Sequence, residues 1–409
     1  MELKKYKLGE IADIFGGISF SPQDVCINGI RVLRGGNIQA QHIVLKDDDV
    51  FLPIEYQNET TKVQLGDTIL VASTGSVDVL GKAATCFKNL DNVHIGAFLR
   101  IIRPHDVKYV MLISIALNSD YFRRYIKSQA KGTSINNITK EYLKRFEIYA
   151  PKDFTDISKI YYNIESKIAL NKQINDNLEA MAKQLYDYWF VQFDFPDGEG
   201  KPYKASGGKM VWNEKLKREI PEGWNNGVLS DIANITMGQS PDGSSYNENG
   251  DGIIFYQGST DFGLRFPSIR QYTTSPSRYA NKGDILMSVR APVGALNIAN
   301  NNCCIGRGLS ALSSKVGSMT HLYYILNDFR LKFEGMNSSG TTFGSITKEE
   351  LFNLPVVIPA EPVISEFEKV CEPIFDKQMI IGEEINALTK QRDELLPLLM
   401  NGQASVNAD

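Results

Sequence analysis

The phrase GTSINNITKEYL at residues 132–143 returns as GTTFGSITKEEL at residues 340–351. A chain that writes such a phrase twice must build the same local structure twice. Four more pairs follow in the same order. LGEIADI (8–14) pairs with LSDIANI (229–235), and IRVLRGGNI (30–38) with IIFYQGSTD (253–261). GDTILVASTGSVDVLGKAA (66–84) pairs with GDILMSVRAPVGALNIA (283–299), and IGAFLRII (95–102) with IGRGLSAL (305–312). The offset of roughly 210–220 residues is far too long for a solenoid unit, so the landmarks describe two duplicated domains. A length of 409 residues also exceeds what one core normally supports.

Each half then runs into a long helical pattern. After Ala150-Pro151, apolar residues recur at Ile157, Ile160, Ile164, Ile174, Leu178, Met181, Leu185 and Tyr188, with Asn171 on the same stripe. After Ile358-Pro359 they recur at Phe367, Val370, Ile374, Ile381, Leu388, Leu395 and Leu398. Spacings of three and four predict a coiled-coil seam. An apolar stripe of that length must be covered, and the simplest cover for each helix is the other one. The intervening stretch FDFPDGEGKPYKASGGKMVWNEKLKREIPEGW (193–224) is rich in Gly, Pro and Lys. It predicts a connector with little regular structure, long enough to let the helices run antiparallel. The remaining parts mix short β-type runs, such as TILVAS and DILMSV, with helical stretches near 107–128 and 318–333. In the repeated phrase, Thr139 and Thr347 are predicted to N-cap short helices. The fold class is therefore α+β, with two mixed domains joined by two long antiparallel helices in a pseudo-twofold arrangement.

Composition narrows the function. Hydrophobic residues make up 43% and charged residues 22%, ordinary for a globular chain. No apolar run is long enough to cross a bilayer, and MELKKYKLGE has no apolar segment of a secretion signal. The five cysteines form no C-x-x-C pair and the four histidines have no metal-ligand spacing, so no metal is expected. No proline follows another, which removes the Asn/Asp-Pro-Pro-aromatic loop of an adenine methyltransferase, and no P-loop is present. Asp197, Glu199 and Lys201 in PDGEGK superficially suit a nuclease, but they lack flanking strands and read better as a solvated linker. No catalytic residue is assigned.

Binding has better candidates. The net charge of −4 neither indicates nor excludes nucleic acid, because a partner can share the phosphate load. The loops after the β-type runs carry small polar residues and arginines. Small polar residues let backbone amides approach phosphates, and arginine reads guanine edges bidentately. In the first half the DNA-binding candidates are Arg34, Asn37, Ser73, Thr74, Ser76, Lys131, Thr133 and Ser134. In the second they are Gln257, Ser259, Ser288, Arg290, Arg307, Thr341 and Thr342. The competing reading is that these are plain turn residues. The aromatic run LYDYWFVQFDFP (185–196) exceeds what two helices need. Part of it is expected to pack internally and part to dock a partner, with Tyr186, Tyr188, Trp189, Phe190, Leu395 and Leu398 as docking candidates.

The order L-x-x-I-A-x-I, G-[ST]-x-x-x-x-I-T-K-E-x-L, NDNLEAMAKQLYDYWFVQFDFP, and then the whole order again ending in LTKQRDELLPLLMNGQ, resembles the specificity subunit of type I restriction–modification systems. The resemblance spans nearly the whole chain. It implies a target-recognition domain at 1–150, a helix at 151–195, a linker at 196–220, a second recognition domain at 221–357, a helix at 358–402 and a tail at 403–409. It implies that each domain reads one half of a bipartite double-stranded DNA site and that the coiled coil sets the spacer. It further implies docking of two methyltransferase subunits, which hold S-adenosylmethionine, and of restriction subunits, which use ATP and Mg. No cofactor is implied in this chain, and a cytoplasmic location in a bacterium or archaeon is expected. Two departures stand out. The first half lacks the P-x-G-W lead-in seen at 221–224, and the two GD loops differ. The alternatives weighed are a stand-alone DNA-modifying enzyme, which would need a metal or S-adenosylmethionine in this chain, and a scaffold that binds no DNA.

Overall fold

The computed structural model describes residues 3–39, 41–76, 78–129, 136–338, 344–400 and Gln403. Contacts divide the chain into two compact units: Met1–Ile168 with Ala387–Asp409, and Ala169–Asn386. Both mix helices with sheets, and the duplication is visible strand by strand.

In the first unit a four-stranded antiparallel sheet has the spatial order Ala12–Gly16, Leu99–Pro104, Thr68–Val71, Ala83–Thr85. In the second the order is Ala233–Met237, Leu309–Ser314, Ile285–Ser288, Leu296–Ile298. All four residues of Thr68–Val71 and all four of Ile285–Ser288 are buried. This is why they read as short continuous runs rather than alternating ones. Each unit adds a second sheet built on one parallel pair. Val93–Ile95 lies beside Ile30–Leu33 in the first, and Cys303–Ile305 beside Ile253–Tyr256 in the second. The LGEIADI and LSDIANI motifs form a single helical turn whose acid caps the chain before it. Lys7 N–H donates to Glu10 Oε2 at 3.3 Å, and Val228 N–H to Asp231 Oδ2 at 2.9 Å. Leu8, Ile11, Leu229 and Ile232 are buried.

The long helices are Thr155–Tyr186, continued by a π-helical turn at Asp187–Val191, and Glu361–Met400. In the second unit they run antiparallel. Asn171 Nδ2 donates to Glu384 Oε2 at 2.8 Å, Gln378 Nε2 to Glu179 Oε2 at 2.9 Å, and the Trp189 and Phe367 rings lie 5.6 Å apart. In the first unit Arg392 Nη1 donates to Glu165 Oε1 at 2.8 Å.

The seam differs from the apolar stripe expected. On the first helix the buried positions are Ile157, Tyr161, Glu165, Ile168, Asn171, Asn175, Ala182 and Tyr186, whereas Met181 and Tyr188 are exposed. On the second they are Ile364, Phe367, Cys371, Gln378, Ile381, Gly382, Ile385, Arg392, Leu399 and Met400, whereas Val370, Leu395 and Leu398 are exposed. The heptad spacing holds, but the buried stripe is rotated toward polar positions. Glu165, Asn171, Gln378 and Arg392 are acceptable there because each meets a partner across the seam, whereas Asn175 Oδ1 is buried with no hydrogen-bond partner among the described residues.

The 193–224 connector is also more ordered than its composition suggests. It contains a hairpin, Met210–Asn213 with Arg218–Pro221. The Phe195 ring stacks on Tyr203 at 4.7 Å and on Trp224 at 5.0 Å. Phe193, Phe195, Ile220 and Trp224 are buried. A few aromatic anchors outweigh the flexible residues between them.

Candidate nucleic-acid interface

The repeated phrase is held by the same backbone bond in both halves. Ile138 N–H donates to Ala72 O at 2.8 Å, and Ile346 N–H to Val289 O at 3.0 Å. Both isoleucines are buried plugs. The threonine that follows each one caps a short helix as predicted. Thr139 Oγ1 accepts from Tyr142 N–H, and Thr347 Oγ1 from Glu350 N–H, each at 3.2 Å.

Two further pairs of equivalent bonds complete a frame. Ala72 N–H donates to Phe98 O and Val289 N–H to Gly308 O, both at 2.9 Å. Gly96 N–H donates to Leu33 O at 2.9 Å, and Gly306 N–H to Tyr256 O at 2.8 Å. In each half four separate segments are thus pinned side by side. The residue beyond the pinned position on each segment forms a rim. The first rim is Arg34, Ala97, Ser73 and Asn137; the second is Gln257, Arg307, Arg290 and Ser345.

Glycines permit the close approach behind the rim. A Cβ on Gly17 would lie 2.1 Å from Gly96 O, and one on Gly238 would lie 2.2 Å from Gly306 O. IFGGISF is therefore a packing motif, in which the small residue lets two backbones touch. Arg100 supports the first rim, donating from Nη1 to Ala97 O and Leu99 O at 2.8 Å each.

The predicted residues divide into four groups. Arg34, Gln257, Arg290 and Arg307 expose their side chains at the rims, with Ser73 and Thr74 half-buried and Ser76 exposed beside them. Ser259 is half-buried at the start of a 3-10 turn. Asn37 and Ser288 turn inward and are corrected to structural roles. Asn37 is 2% exposed; its Oδ1 accepts from Arg34 N–H at 2.7 Å and its Nδ2 donates to Asp49 at 2.6 Å. Asp261 does the same for the second half, accepting from Gln257 N–H at 3.1 Å. Ser288 is 1% exposed; its Oγ donates to Pro292 O and accepts from Ala295 N–H at 2.9 Å. Lys131, Thr133, Ser134, Thr341 and Thr342 lie outside the described residues.

Sequence reasoning passed over Asn137 and Ser345, although both stand inside the repeated phrase. It also passed over Phe98, which is 66% exposed beside Ser73. The signal available was the position of each residue immediately before the ITKE helix.

The docking candidates separate too. Tyr186, Trp189 and Phe190 belong to the core of the second unit and are corrected: they are not surface residues. The Phe190 ring packs at 4.4 Å from His321 and 4.8 Å from Phe367. Tyr188, Leu395 and Leu398 remain exposed. Among the described residues no group of three or more His, Cys, Asp or Glu side chains is placed to hold a metal, and no helix is long and apolar enough to cross a membrane.

The chain matches the family described as type I restriction modification DNA specificity domain over residues 1–180 and again over 221–391. It is 31% identical over 366 residues to a putative type I restriction enzyme MjaX specificity subunit of Methanocaldococcus jannaschii, covering 86% of this chain and 81% of that protein. It is 25% identical over 469 residues to the type I restriction enzyme HindI specificity subunit of Haemophilus influenzae, covering 98% and 99%. Among solved structures, the S subunit of a type I restriction–modification system from M. genitalium superposes with a TM-score of 0.58 at 15% identity, covering 99% of this chain and 97% of that one. That last likeness is one of fold.

Proposed function

Because the chain belongs to the type I restriction–modification DNA specificity family, we propose that it is the DNA-recognition subunit of such a complex and performs no catalysis alone. Each recognition domain, 1–150 and 221–357, reads one half of a bipartite site. The long helices set the spacer and offer docking surface to methyltransferase subunits. The S-adenosylmethionine chemistry belongs to those subunits, and ATP and Mg to the restriction subunits. The complex works in the cytoplasm of its bacterial or archaeal host.

The observation that carries this reading is the pair of rims. The same backbone frame presents four side chains in each half, and those side chains differ between halves. Phosphate contacts position such a protein and base contacts specify the site. A target adenine must leave the stack to be methylated, and the pocket that receives it lies in the partner subunit.

The test is a genome-wide map of methylated adenine in the host, with the gene intact and deleted. Loss of methylation at one split, asymmetric motif on deletion is the expected result. An unchanged map overturns the reading. Exchanging residues 1–150 for the matching domain of a relative should change one half of that motif and leave the other half intact.

A further inference from the structure

Arg290 and Arg307 stand side by side at the end of the strand pair Ile285–Ser288 and Leu309–Ser314. The ladder runs Ile285 opposite Leu312 through Ser288 opposite Leu309, and Val289 N–H continues it to Gly308 O at 2.9 Å. The next residue on each segment is an arginine, and both side chains are exposed. Neither has an acidic partner among the described residues. Arg290 is bridged on its other side by Ser345, and the Gly306–Gly308 turn packs against the backbone of Gln257. Two like charges opposite one another across a strand pair repel. The arrangement makes sense when an electron-rich acceptor lies between them. The matching places in the first half hold Ser73 and Ala97, so the shared frame does not require the arginines.

We infer that Arg290 and Arg307 form a guanine-reading pair, each fixing one of two neighbouring G·C base pairs in the half-site recognised by residues 221–357. The inference rests on the proposed DNA-recognition role and deepens it. A guanidinium offers two parallel N–H donors in one plane, which match O6 and N7 of guanine in the major groove. Gln257 and Ser345 flank the pair with neutral polar side chains suited to neighbouring bases. A phosphate oxygen offers acceptors of the same kind, so the experiment separates the two sources.

The full chain is purified with its methyltransferase subunit. Methylation rates are then measured on duplexes carrying the mapped motif and on single-base variants of it. Arg307→Ala and Arg290→Ala are each expected to lower discrimination at one G·C position by roughly ten- to a hundredfold, leaving the other half-site and the spacer unchanged. Arg307→Lys should not restore it, because lysine keeps the charge without the planar fork. A phosphate contact would instead weaken methylation evenly across all duplexes, flatten the salt dependence and be rescued by lysine. That pattern overturns the inference, as does unchanged discrimination in both alanine variants. Absence of any gene-dependent motif in the host map is a separate failure, which removes the DNA-recognition reading itself.

Discussion

In the first half the central strand Thr68–Val71 runs out at Ser73 between Ala97 and Asn137. In the second half Ile285–Ser288 runs out at Arg290 between Arg307 and Ser345. The backbone bonds behind the two rims agree to within a few tenths of an ångström, yet the first rim carries small neutral Ser73 and Ala97 at the places of Arg290 and Arg307, and its own arginine, Arg34, stands where the second has Gln257. The difference teaches which residues are bound by geometry. Gly17 and Gly238 cannot carry a Cβ, Asn37 and Asp261 cap a turn, and Ile138 and Ile346 plug the space under the loop. The rim residues only have to project from that frame, so their chemistry is free to differ. The long helices show a parallel contrast. Their seam carries a buried ion pair in the first unit, Glu165 with Arg392, and carboxylate–amide bonds in the second.

The largest effect should come from breaking the ion pair. Arg392→Met leaves Glu165, 3% exposed, without its cation and should cost about 3–5 kcal/mol in chemical denaturation. Replacing both residues by leucine should recover most of that loss. A recovery of nothing would mean that the pair does more than satisfy itself.

Next comes acid sensitivity. Burial among Tyr186, Phe190 and Phe367 pushes the His321 pKa down to about 3. The unfolded state takes up a proton below about pH 6.5 while the folded state stays neutral. Its contribution is thus whole above about pH 6.5 and is lost at about 1.4 kcal/mol per pH unit as pH falls toward 3. The matching residue in the first half is Met111. Thermal unfolding of His321→Met from pH 7 to 4 should therefore slope less steeply than that of the parent. Buried His94, whose pKa is also lowered chiefly by burial, keeps its own share of the slope.

Gly17→Ala and Gly238→Ala should each cost about 1–3 kcal/mol or more, because the added Cβ meets backbone and not a movable side chain. Each should blur only the half-site of its own domain in the methylation assay. Loss of both half-sites from one substitution would break the picture of two independent frames.

Removing the caps should cost about 1 kcal/mol each. Thr347→Ala should cost more than Thr139→Ala, because Thr347 Oγ1 also donates to Glu350 Oε2 at 2.8 Å, a bond that alanine removes and that the first half, with Tyr142 at the matching place, lacks. The smallest stability change, within about 0.5 kcal/mol, is expected for Tyr188→Ala and Leu398→Ala, which are exposed. Their effect should show instead in co-purification of the methyltransferase subunit.

Much of this was legible in the sequence. The five duplicated landmarks, both long helices, the central strands and the two threonine caps were all readable, because each depends on neighbours within a few residues along the chain. Propensity, capping and heptad spacing act over that range. The tertiary structure alone decided three other matters. It rotated the helix seam onto Glu165, Asn171, Gln378 and Arg392, because a buried polar group is tolerated only where its partner stands, and those partners come from the opposite helix. It drew Trp189 and Phe190 into the second core and turned Asn37 and Ser288 inward. Finally, it set four distant segments side by side at each rim. Strand register is fixed by hydrogen bonds between residues far apart in sequence, so the neighbourhood of Arg290 and Arg307 follows from the folded sheet and from nothing local to either arginine.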